Sequence, residues 1–236
     1  MTQQVNFSYA FQPIVDVINK VPYSYEALIR GPNNEPPTLI FAQVSRISLP
    51  DFDQQAREFA IKLAVQLGLT CNINLNFLPN SLSAGSYIDK TLDAIKENQL
   101  NPSQLIIEVP ESEIIHHQQD FLYSVRQCRS KGIRIAIDDF GAGYSGLNLL
   151  LNLQPDFIKL DMQLIRKIDA HPARQAVVKA ILEVCKSLNT NVIAEGVENI
   201  SEYQWLKEQG VFLFQGYLLS KPGFECLPAI TFPDAL

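Results

Sequence analysis

Hydrophobic positions in this chain follow two spacings that take turns along its length. Apolar residues recur at every second position, the period of a strand, over 9–16 (YAFQPIVD), 21–31 (VPYSYEALIRG), 70–77 (TCNINLNF), 105–111 (LIIEVPE), 134–139, 157–161, 191–195 and 212–219. Helical spacing fills the intervals at 38–46, 50–67, 86–98, 117–130, 147–153, 162–189 (interrupted at Pro172) and 201–209. The helix at 50–67 is the clearest, with Phe52, Ala56, Phe59, Ala60 and Leu63 on one face. Only residues 17–20 separate the first two strands, too few for a crossover helix, so these strands are expected to pair antiparallel. Elsewhere strand and helix alternate, which predicts a mostly parallel α/β sheet. Eight strand candidates in 236 residues predict a (β/α)8 barrel. There is no linker, low-complexity tract or repeat, so residues 1–236 read as one domain.

The stretch IRIAIDDFGAGYSG at 133–146 stands out. Ile133, Ile135 and Ile137 form a β-branched strand that ends in two adjacent carboxylates, Asp138 and Asp139. Neighbouring carboxylates repel unless a cation lies between them or one takes a proton, and divalent ions favour oxygen ligands. Gly141, Gly143 and Gly146 follow, a loop in which backbone can approach a bound group. Alone, the acidic pair fits a strand followed by an acidic surface turn better than a site. Recurrence favours the site. Glu108, Asp138 with Asp139, Asp161, Glu195 and Gln215 each lie where a strand ends, and Glu26 lies in the second strand. In a closed barrel these ends share one mouth. Phe157, Lys159 and Asp161 share one strand face and Ile158 and Leu160 the other, so Lys159 is expected to point inward. A buried lysine needs a partner, which carboxylates such as Asp161 would supply; an interior ion pair without chemistry is the alternative for Lys159. Along 70–77, Cys71, Ile73 and Leu75 alternate with Asn72, Asn74 and Asn76. Glu, Asp and Asn oxygens without Cys or His ligands suit Mg²⁺ or Mn²⁺ better than Zn²⁺. Two such ions about 3.5–4 Å apart are the usual clamp for displacement at phosphorus, which predicts a metal-dependent phosphoester hydrolase.

Composition narrows the partners. A net charge of −6 argues against binding a nucleic-acid polymer, although bound cations can reverse the local sign for a phosphate substrate. No apolar run reaches the length of a membrane span, and the first ten residues lack a signal-peptide pattern. Cys71, Cys128, Cys185 and Cys226 form no CxxC and read as free, mostly buried thiols of a cytoplasmic protein. His116 and His117 fit a solvated helix start, and His171 before Pro172 a turn.

The motifs, in order, resemble the EAL family of cyclic di-GMP phosphodiesterases. Glu26-Ala27-Leu28 with Arg30 resembles the signature that names the family. FQPIVD at 11–16, NFLP at 76–79, EVPE at 108–111, DDFGAG at 138–143, FIKLD at 157–161, AEGVE at 194–198, QGY at 215–217 and SKP at 220–222 complete the likeness over about 9–223. Pro110 and Ala142 stand where the family usually has Thr. The resemblance implies a modified TIM (β/α)8 barrel with one antiparallel strand. It implies a first metal held by Glu26, Asn76, Glu108 and Asp138, and a second by Asp138, Asp139 and Glu195. Lys159, with Asp161 as a candidate helper, would orient the attacking water or phosphate, the identity of the general base staying open. Gln12, Arg30 and Gln215 would grip the substrate, and Glu111 would anchor the 140–146 loop. The product would be linear pGpG. A homodimer through the 140–153 loop and helix is implied, with Leu at 147, 149, 150, 151 and 153; ordinary core packing is the alternative for these leucines. Some relatives persist as inactive cyclic di-GMP receptors or interaction modules, the alternative reading.

Overall fold

The computed structural model describes residues 5–45, 48–78, 86–112, 118–143 and 146–233. His116 and His117 lie outside them. Eight strands close a barrel: β1 (Ser8–Asp16), β2 (Val21–Arg30), β3 (Asn72–Asn76), β4 (Leu105–Pro110), β5 (Arg134–Phe140), β6 (Phe157–Leu160), β7 (Asn191–Ala194) and β8 (Leu213–Phe214). β1 is antiparallel to both its barrel neighbours, β2 and β8, and every neighbouring pair from β2 to β8 is parallel. The reversal is made by the short turn the sequence predicts. Asp16 Oδ1 accepts from the amides of Ile18 and Asn19 at 2.9 and 3.0 Å, and Lys20 takes a left-handed φ of 58°.

A ninth strand, β9 (Gly223–Phe224), adds to β1 opposite Ala10 and Phe11. It was not expected, because two residues carry no readable period. β8 is also shorter than the expected 212–219.

Among the described residues, the outer layer consists of helices α1 (Pro37–Phe41), α2 (Leu49–Gln66), α3 (Ser86–Glu97), α4 (Gln118–Ser130), α5 (Gly146–Leu153), α6 (Met162–Ile165), α7 (Pro172–Leu188) and α8 (Ile200–Glu208). Pro172 begins α7 rather than interrupting a longer helix, because a first-turn proline lacks only an amide hydrogen the helix does not use. The expected helix at 162–189 is therefore α6, a short 3-10 turn at Ile168–Ala170, and α7. On α5, Leu149, Leu150 and Leu153 are buried, whereas Leu147 and Leu151 are 62% and 63% exposed. Tyr123 on neighbouring α4 is 61% exposed.

Alternation divides the strands cleanly. Ile107, Ile135, Ile137, Ile158, Leu160 and Val192 pack outward in the large core beneath the helices. Ile14, Ile106, Ala136, Phe157, Ile193 and Leu213 pack against one another as a separate cluster inside the barrel. The next inward position, two residues nearer the mouth, is polar on each of these strands: Gln12, Glu108, Asp138, Lys159, Glu195 and Gln215. An apolar plug thus floors a polar chamber.

Candidate active site at the barrel mouth

Lys159 is the hub of that chamber and is 1% exposed. Its Nζ lies 2.7 Å from Glu195 Oε1, 2.8 Å from Glu108 Oε1 and from Asp138 Oδ1, and 3.2 Å from Glu26 Oε2. The contact to Asp138 has ion-pair distance without hydrogen-bond alignment, since Asp138 Oδ1 makes no hydrogen bond. The pairing expected from Asp161 is thus made by carboxylates of four other strands. Asp161 instead caps α6, its Oδ1 accepting from the Gln163 amide at 2.7 Å, because the chain turns into that helix immediately after Leu160.

Glu26 is also held by amides. Gln215 Nε2 donates to Glu26 Oε2 at 2.7 Å and to Gln12 Oε1 at 3.3 Å, and Asn76 Nδ2 donates to Glu26 Oε1 at 3.4 Å. Gln12 Nε2 donates to the Ser220 carbonyl at 3.1 Å. Asn74, absent from the expected site, is fully buried and donates to Glu108 Oε1 at 2.8 Å. Its alternation with Asn76 was the available signal. Arg30, at the end of β2, lines a cavity of about 280 Å³ beside Leu28, Phe41, Asp53, Arg57 and Asn76.

Strict alternation would turn Asp138 and Asp139 to opposite faces. The strand avoids this with an irregularity: Ile137 pairs with Ile158 and Phe140 with Leu160, so two residues of β5 face Lys159 alone. The extra residue is absorbed by Asp139 at φ 53°, a left-handed conformation Asp tolerates better than most residues. Asp138, Asp139 and Glu195 consequently present oxygens within 4.8 Å of one another, as do Glu26, Glu108 and Asp138.

Behind this bulge, Glu111 accepts from the amides of Gly141, Gly143 and Gly146 at 2.6, 3.3 and 2.8 Å. Gly141 has a φ of 99° and lies against Leu164, where a Cβ would collide.

Electrostatics follow from crowding. Burial pushes the Glu108 carboxyl well above the usual range, with Glu26 and Asp138 adding to the effect and Lys159 opposing it. Burial likewise raises Glu195 well above that range against the pull of Lys159. Asp139 is pushed up to about 6 by burial, then by Asp138 and Asp161. Burial alone would lower Lys159, but Asp138, Glu108, Glu195 and Glu26 together hold it well above an ordinary lysine.

Five carboxylates around one ammonium leave an excess of negative charge, and Glu108 Oε2 is buried without a hydrogen-bond partner. All-oxygen donors in two overlapping groups of three fit hard divalent cations.

The chain is 34% identical over 99% of its length to the blue light- and temperature-regulated antirepressor BluF of Escherichia coli. It is 30% identical over 89% of its length to the E. coli cyclic di-GMP phosphodiesterase PdeR. It spans 59% and 32% of these two relatives' own lengths. Among solved structures, a stand-alone EAL protein from Vibrio cholerae O395 bound to c-di-GMP superposes with a TM-score of 0.93, at 43% identity and covering 97% of both chains. Klebsiella pneumoniae BlrP1 in a manganese and cyclic di-GMP complex gives 0.89 at 38% identity, over 95% of this chain and 58% of that one. The EAL domain profile matches residues 1–222, and with the barrel and these relatives it establishes that the chain belongs to the EAL domain family.

Proposed function

We propose that this chain is a metal-dependent phosphodiesterase that opens cyclic di-GMP at one phosphodiester to give linear pGpG. The observation that carries the reading is the convergence of Glu26, Glu108, Asp138, Asp139 and Glu195 on one chamber with a single buried ammonium among them. In this reading Glu26, Asn76, Glu108 and Asp138 hold one Mg²⁺ or Mn²⁺, and Asp138, Asp139 and Glu195 hold the other. Such a pair supplies Lewis acidity toward phosphate oxygens and a hydroxide-like nucleophile near neutral pH.

The protein's own groups do the rest. Arg30 pairs with a substrate phosphate from the edge of its cavity. Gln12 and Gln215, already bonded to each other, with Gln215 also bonded to Glu26, orient the ligand beside the acids. Lys159 keeps its proton and steadies negative charge on the attacking water or the phosphate. Asp161, held by the α6 amide, assists from the strand end. Glu111 keeps the glycine loop in place over Asp138 and Asp139.

Purified protein incubated with cyclic di-GMP and Mg²⁺ or Mn²⁺ should release pGpG, separable by chromatography; no product with either ion would overturn the reading. The alternative, a non-catalytic receptor or interaction module, gains support from the antirepressor among the relatives. Cyclic di-GMP binding that survives Glu26→Ala and yields no product would favour it.

Two further parts belong to this proposal. The exposed Leu147, Leu151 and Tyr123 favour a homodimer through the 140–153 region, of which 144 and 145 lie outside the described residues. Leu151→Glu should shift the sedimentation coefficient toward a monomer. Residues 1–236 act as one cytoplasmic EAL unit, consistent with four free cysteines and with no described helix long and apolar enough to cross a membrane.

A further inference from the structure

The loops that follow β6 and β7 are tied to each other by groups outside the proposed machinery. Glu202, in the first turn of α8, is 1% exposed. Its Oε2 accepts from the amides of Glu198 and Asn199, both at 3.3 Å. That half of the contact is ordinary helix capping. Its Oε1 accepts from the Lys167 amide at 2.9 Å, a residue 35 positions earlier and held at a left-handed φ of 56°. Capping of α8 does not account for this second bond. A carboxylate is costly to bury, and here both oxygens are used to join two separate loops.

Other contacts close the same seam. Arg166 grips Glu198 with both terminal nitrogens, at 2.8 and 3.0 Å. Gly196, with φ 62°, lies so close to Met162 that an added Cβ would come within 2.8 Å of the Met162 Cβ. Away from that seam, the Val197 amide donates to the Gln215 carbonyl at 3.1 Å and holds the same loop to the chain after β8. Glu195 therefore has a rigid β7 strand on one side and a fastened loop on the other. The loop it is fastened to begins at Asp161 and follows directly from Lys159.

We infer that Glu202 is a positioning residue: its carboxylate clamps the loop after β6 to the loop after β7 and so holds Glu195 in register with Lys159 and Asp138. The inference rests on the proposed reading of the site, in which Glu195 belongs to the second ion only. It requires Glu202→Ala to weaken that ion about tenfold, the scale on which outer groups tune metal sites, while the first ion is unaffected. Glu202→Gln keeps an acceptor for Glu198 and Asn199 but loses the Lys167 bond when its amide nitrogen faces that amide, so an intermediate loss is expected.

The test is a calorimetric Mn²⁺ titration of the full chain at a temperature where every variant is folded by circular dichroism. Cys185→Ala, a buried change in α7 away from the mouth, serves as the destabilised control. Selective weakening of one of two ions in Glu202→Ala, with faster amide hydrogen exchange at Lys167 and at 195–199, supports the clamp. Wild-type affinities in Glu202→Ala overturn it, as does an equal weakening in Cys185→Ala. If wild type binds two ions yet makes no pGpG, the phosphodiesterase reading fails while the titration still judges the clamp. If wild type binds no divalent ion, both fall.

Discussion

The floor and the chamber of the barrel are built from the same strands, on the same inward face, two residues apart. Ile106 lies below Glu108, Ala136 below Asp138, Phe157 below Lys159, Ile193 below Glu195 and Leu213 below Gln215. The floor gains stability from apolar burial. The chamber gathers like charges and leaves Glu108 Oε2 without a partner. The same hydrogen-bonded scaffold thus supports one layer that favours folding and one that opposes it. Local strain of this kind persists where the surroundings over-determine it.

The largest expected effect separates the layers by sign. Glu108→Gln in the chamber should lower turnover about 10³-fold, the scale of losing a key electrostatic group. Because burial makes the charged form of Glu108 unfavourable, the same variant should raise the metal-free melting temperature near neutral pH. A fall in both would remove the distinction drawn here. One layer down, Phe157→Ala should cost about 3–5 kcal/mol of stability by leaving a cavity. The fraction that remains folded should keep a near-normal KM, as denaturant melts and kinetics on the same sample will tell.

A smaller effect sharpens the contrast through pH. Asp139 has its pKa raised from 3.8 to about 6, so between those values the folded chain holds a proton the unfolded chain has released. Stability of the metal-free protein from this group therefore falls as pH rises through that window. A divalent ion needs the deprotonated form. The gain in melting temperature on adding Mn²⁺ should accordingly be larger at about pH 7.5 than at about pH 5; equal gains would argue against Asp139 as a ligand. The smallest change is Ile193→Val in the floor, about 1 kcal/mol by chemical denaturation with turnover unchanged.

Much of this division can be read from spacing. The alternation in FIKLD turns Lys159 inward, and the short turn after Asp16 reverses β1. What the spacing misses has local geometric causes. Period two puts Asp139 on the wrong face, because an inserted residue in a strand leaves no mark in composition. Alternation groups Asn74 with Asn76 but does not show that Asn74 is buried against Glu108, since burial of an amide depends on which strand lies opposite it. Pro172 reads as a breaker until the chain before it is seen to be a separate turn. Glu202 sits on an ordinary amphipathic helix, and only the folded path brings Lys167 to it.

The reversed direction of β1 has a topological outcome. In an all-parallel barrel the first strand enters from the end opposite the ligands. Here Ile14 belongs to the floor and Gln12 to the layer above it, so Ser8 stands at the rim and the polypeptide threads downward from there. Anything joined ahead of Ser8 is therefore joined at the doorway, and a pull on that tether is delivered to the lip of the cup instead of its base.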